Sequence, residues 1–136
     1  SHINAGKAQA GRDAHHVVTY VETKVSPDGA AARAAARRSL ATWWPWADIH
    51  MEALGIAAEA EALVAQHGDH WPEHVPDAWL DELAAAGTPD QALALIERLV
   101  EAGSDSVILQ PLRNDPSCLD EYAKWLMPRL KARWPG

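Results

Sequence analysis

The chain has 136 residues, of which 19 are acidic and 12 basic, for a formal net charge of -7. That length suits one domain with its own core, since a chain of this size buries roughly two thirds of its unfolded surface. The acidic balance repels nucleic acid and anionic membrane, and no apolar run approaches the ~20 residues of a membrane helix.

The amino-terminal stretch "SHINAGKAQAGRD" lacks the apolar core of a signal peptide, and the single cysteine, Cys118, cannot form an internal disulfide. A cytoplasmic setting is therefore expected, with Cys118 an inert thiol near a helix start. The next segment, "HHVVTYVETKV", is rich in β-branched and aromatic residues and predicts a largely buried strand from about 16 to 24. "SPDGAAARAAARRSLATWW" follows, with Ser26 as N-cap and Pro27 as first helical residue. Arg33, Arg37 and Arg38 fall on about one face of this helix and its alanines on the other, so it should pack closely against a flat surface. Pro45 interrupts the pattern, which resumes as a helix from about 47 to 67 with Gly68 as a left-handed cap.

After the turn-rich "DHWPEHVP", the segment "PDAWLDELAAAG" predicts a short helix with Trp79, Leu80 and Leu83 inward. Thr88, Pro89 and Gln91 then write a capping box for a helix whose apolar positions include Ala92, Leu95, Ile96 and Leu99 and which ends at Gly103. "SVIL" is a short apolar strand without alternation, near 106–110, as in parallel sheets covered on both faces, and Pro111 stops it. A last helix, about 118 to 131, carries Leu119, Tyr122, Leu126 and Leu130 inward. Two strands covered on both faces do not close a sheet. The fold needs further strands, from a larger α/β protein or from copies of the same chain.

The run "VPDAWLDELAAAGTPDQALALIERLVEAGSDSVILQPL" with "LDEYAKWLMPRL" resembles the C-terminal end of the luciferase-like monooxygenase superfamily. The resemblance rests on Gly87, Thr88 and Pro89, on Ala102, Gly103 and Asp105, and on Leu126, Pro128 and Leu130, with Ala10, Gly11 and Arg12 upstream. It extends from about Ala5 to Leu130 and is weakest between Trp43 and His74. It implies an α/β fold, the C-terminal part of a TIM-type (β/α)8 barrel, whose complete form needs roughly 250 residues or more. Residues 1–136 would then be one partial domain, mostly helical, with about two parallel strands standing for the seventh and eighth of the barrel. The implied activity is that of a bacterial flavin- or coenzyme F-420-dependent oxidoreductase or monooxygenase, with FMN or F-420 as cofactor, a small-molecule substrate and a homo-oligomeric state. The fragment alone is expected to be inactive and to bind no cofactor.

In a barrel the C-terminal strand ends face the active-site mouth, which selects Thr23, Lys24, Gln110 and Arg113. A lysine or arginine there could pair with an anionic substrate group or a cofactor tail, although solvated loop positions are the plainer reading. Trp43 and Trp44, within "WWPW", could wall an aromatic pocket, or equally a core or an interface. Glu22 could act as an acid or base but is expected to point to solvent. His67, His70 and His74 have a spacing that a metal could share only if the loop folds around it, so the expected metal is none. No catalytic nucleophile is apparent. The alternative reading is a small helical binding or dimerisation module without catalytic activity.

Overall fold

Parallel pairing of three strands organises the chain. The computed structural model describes residues 2–44, 48–113 and 115–135. After α1 (His2–Gln9), β1 (Val18–Val25) forms where β-branched residues are densest. α2 (Gly29–Trp43), α3 (Asp48–Leu54), α4 (Ala57–His67), a 3-10 segment (Gly68–His74) and α5 (Asp77–Leu83) then lead to β2 (Ala84–Gly87). α6 (Pro89–Glu101), β3 (Ser106–Pro111), α7 (Ser117–Glu121), a π-helical turn (Tyr122–Leu126) and α8 (Met127–Arg133) complete the order.

The sheet order is β2-β1-β3, with all pairs parallel. β3 lies along Val18 to Thr23 of β1, and β2 along Glu22 to Val25 on the opposite edge. A plain succession around a barrel would put β2 between β1 and β3. Here β1 is central, and among the described residues the N-terminal half of its β2-side edge has no strand beside it.

β2 lies where the sequence predicts the end of a short helix. Alanine favours helix over strand, yet burial decides here, because Ala84, Ala85 and Ala86 are at most 3% exposed. Ala84 and Ala86 meet Ala36 and Leu40 of α2 with Leu80 of α5, while Ala85 faces Val21, Val25 and Ala92 of α6. Small side chains on both faces let helices approach the backbone from both sides, and a larger residue would separate them. The need for further strands is thus met in part within the chain.

Other expectations are corrected. α2 is capped by Asp28, whose carboxylate accepts from the Ala31 N–H at 3.0 Å, while the Ser26 hydroxyl accepts from the Asp28 N–H. Arg33, on the arginine face of α2, is itself buried. The helix drawn from 47 to 67 is broken at Gly55, where φ is +71°; Pro45 and Trp46 lie outside the described residues. β3 is an edge strand with Ile108 40% exposed, and Tyr20 of β1 is 62% exposed, so neither strand is covered on both faces throughout. Leu119 points outward. The Thr88/Gln91 capping box is present as read.

Candidate functional site

Alternation along β1 sends Val21, Thr23 and Val25 to the core beneath α6 and α7 and Tyr20, Glu22 and Lys24 to the other face. Two polar sites result, and they differ in how fully their charges are matched.

The first pairs one ammonium with two carboxylates and leaves only Glu121 Oε2 without a hydrogen bond among the described residues. Lys24 Nζ donates to Asp115 Oδ2 at 2.7 Å and to the Glu121 carboxylate at 2.9 Å, with Cys118 Sγ at 3.8 Å. Burial opposes the lysine's charge, but hydrogen bonds to Asp115 and Glu121 outweigh it and hold its pKa above the ordinary value. The Asp115 carboxyl is pulled down to about 2, first by Lys24 and then by Ser117. Burial pushes the Cys118 thiol up, so it stays protonated and unreactive. Burial also pushes up the Tyr122 hydroxyl, which donates to the carbonyls of Thr23 (2.5 Å) and Gln110 (3.2 Å). Pro111, the register partner of Thr23, has no N–H for the ladder, and Tyr122 supplies a donor there. This cluster locks the β3–α7 connection onto β1, and its lysine has no capacity left for a ligand.

The second is open. Glu22 Oε1 accepts from the Ser39 hydroxyl at 2.5 Å and Oε2 from the Trp43 indole N–H at 3.1 Å. Ser39 and Trp43 are one helical turn apart on α2, so one helix face aims both donors at one carboxylate. Both donors are neutral, and no cation among the described residues pairs with Glu22. The carboxylate lines a cleft of about 670 Å³ together with Tyr20, Trp43, His50, Gln110 and Arg113. The His50 ring meets Trp43 edge-on, with centroids 6.3 Å apart. Arg113 is exposed and makes no ion pair among the described residues.

Of the residues selected from sequence, Trp43, Gln110 and Arg113 come together at this cleft. Thr23 is fully buried, donating to the Val21 carbonyl at 3.0 Å; Lys24 is locked as described, and Trp44 packs on Trp71 with ring centroids 4.3 Å apart. His67 and His74 stack ring on ring at 3.6 Å, while His70 is exposed beside Glu73. The three histidines do not converge, and no metal-holding group of three occurs among the described residues. Glu22 was assigned to solvent because an isolated strand glutamate carries no sign of its partners. Ser39 and Trp43 lie 17 and 21 residues away.

A closed α2–α5–β2 network holds the cleft's frame. Arg33 donates to Asp77 at 3.2 Å, Asp81 at 2.6 Å and the Ala86 carbonyl at 3.3 Å, and Arg37 joins it on Asp77.

No family model matches the chain, and no curated protein matches it in sequence. The structure is similar to that of the coenzyme F420 dependent tetrahydromethanopterin reductase from Methanopyrus kandleri, with a TM-score of 0.69 at 23% identity. The fold is that of part of a TIM-type (β/α)8 barrel. The match takes in 91% of this chain and 39% of that one, so the chain spans well under half the neighbour's length. At this identity the likeness establishes the fold. Among the described residues no helix is long and apolar enough to cross a membrane.

Proposed function

We propose that the chain is the C-terminal part of a bacterial, cytoplasmic luciferase-like oxidoreductase, active through FMN or coenzyme F-420 on a small molecule. The observation that carries this is the structural likeness over 91% of the chain, in agreement with the Gly87-Thr88-Pro89 and Leu126-x-Pro128-x-Leu130 patterns. F-420 is favoured over FMN because the matching reductase is F420 dependent by name.

The described residues fit only part of such a cofactor's needs. Trp43 and Tyr20 could wall a ring, and Arg113 could meet one anionic group. The start of α6, whose amides could hold a phosphate, is instead closed by Thr88 and Gln91. The cofactor would supply hydride transfer or oxygen activation, and this chain would contribute one wall of the substrate space. The 136 residues alone are therefore inactive in this reading.

The test begins with an immunoblot of source cells, using an antibody to this segment. A band more than twice 14.8 kDa supports the reading; that protein should then bind F-420 or FMN, whereas binding of neither would defeat it. A band at 14.8 kDa favours a second reading, a homo-oligomeric module without catalysis. Val18, Tyr20 and Ile108, exposed on one sheet face, are the observation behind it.

A further inference from the structure

We propose that the Glu22 cleft selects planar aromatic ligands with an N–H or O–H donor at one end and an acid group at the other. The inference rests on the reading of the cleft as a small-molecule site and goes beyond it by naming the ligand class; it does not depend on the redox cofactor.

Three features carry it. Glu22 is half-buried, and each of its oxygens accepts one neutral hydrogen bond. A carboxylate offers about four lone-pair sites, so acceptor capacity remains on a group that Ser39 and Trp43 hold in a fixed orientation. Its negative charge is matched by no cation among the described residues, in contrast to Asp115, Glu121, Asp77 and Asp81, each paired with a lysine or arginine. A ligand N–H or O–H is the missing complement, and a charge-assisted hydrogen bond of this kind is about twice as strong as a neutral one.

Arg113 supplies the opposite polarity. It lies on the same cleft, three residues beyond Gln110, the register partner of Glu22. That separation is at most about 10 Å along extended chain. An acid group would bring the guanidinium the anionic partner it lacks among the described residues. The same cleft is lined by Tyr20 and Trp43 and by aliphatic Leu83 and Leu99, surfaces that suit a flat ring better than a flexible polar chain.

Calorimetric titration of the purified chain with three small probes tests the assignment. 4-Aminobenzoate has a donor and an acid at opposite ends of one ring, benzoate lacks the donor, and aniline lacks the acid. 4-Aminobenzoate should bind saturably at about 1 mM or below, and each truncated probe should bind about tenfold or more weakly. Glu22→Gln should bring 4-aminobenzoate down to the level of benzoate while leaving benzoate unchanged. Arg113→Ala, an exposed change that leaves the core intact, should bring it down to the level of aniline. Absence of saturable binding to the wild type, equal affinity for all three probes, or a uniform loss across probes in Glu22→Gln would overturn the proposal. Failure of the redox reading looks different: the longer protein would bind neither F-420 nor FMN while the probe pattern stood.

Discussion

Replacing Lys24 by Met tests how the closed cluster contributes to stability. The substitution keeps the aliphatic stem and removes the ammonium from between Asp115 and Glu121, whose side chains are 34% and 25% exposed. Asp115 is held down to about 2 by Lys24 and Ser117, against an ordinary value of about 3.9, which corresponds to roughly 2.6 kcal/mol. Its exposure of about a third, and the Ser117 hydrogen bond that the variant keeps, lower the share of Lys24 to about 1–2 kcal/mol. Stranding the more buried Glu121 adds a comparable amount, for a total of about 2–3 kcal/mol at pH 7. Because the folded carboxyl is depressed, its contribution is present above the unfolded value near 4 and is lost as pH falls towards 2. Lys24 is shifted the other way, so its contribution is full below about 10.4 and is lost only above that. Urea unfolding followed by tryptophan fluorescence at pH 7, 5, 4, 3 and 2 should therefore show a gap between wild type and variant that is constant from 7 to 5 and narrows below 4. A gap under about 0.5 kcal/mol at pH 7, the size of an ordinary surface change, or one that does not depend on pH, would refute the reasoning.

Arg33→Met should cost about 1–2 kcal/mol, since the Ala86 carbonyl loses its buried donor while the exposed Asp81 is left to water and Asp77 keeps Arg37, and should lower the calorimetric midpoint more than Arg37→Ala does. Gly87 has φ near +134°, and a Cβ there would lie 2.2 Å from Gln91 Oε1. Gly87→Ala should accordingly cost about 2–3 kcal/mol in denaturant unfolding, more than the ~1 kcal/mol of the cap change Thr88→Ala; equal costs would show that the glycine is not required. Tyr122→Phe removes the donor shared by the Thr23 and Gln110 carbonyls, and should cost about 1–2 kcal/mol with faster amide exchange along β3. Unchanged exchange there would mean the hydroxyl does not brace the strand pair.

Legibility in the sequence followed the range of the interaction. The α6 start is written in four consecutive residues, Thr88 to Gln91, because capping is local chemistry. β1 and β3 were legible from their β-branched runs. β2 was not, because Ala84 to Ala86 are helix formers whose strand conformation comes from the register Glu22↔Ala84 and from helices on both sides. The same limit applies to the arginines of α2. Their spacing puts them on one face of the helix, while the acids that draw Arg33 inward lie 44 and 48 residues away. At the cleft, strand ends and aromatic content point to Trp43, Gln110 and Arg113, and Glu22 is a candidate acid or base from its type alone, but its fixed orientation follows only from α2 lying across β1.

Glu22 and Lys24 show why position at a strand end did not suffice to pick the site. They lie two residues apart on the same face of β1 and would be equivalent by alternation alone. Lys24 lies beyond the β3 pairing, level with β2, where the returning chain brings Asp115 and Glu121 within 2.9 Å and consumes its charge. Glu22 lies where both neighbours overlap β1 and meets only the neutral donors of α2, beside an edge that β2 leaves uncovered. A matched charge stabilises a fold and leaves nothing for a ligand, whereas a fixed and unmatched one lowers stability slightly and keeps its binding capacity. By that criterion the Glu22 side is the end of this sheet that keeps binding capacity, while Lys24 holds the connection between β3 and α7 in place.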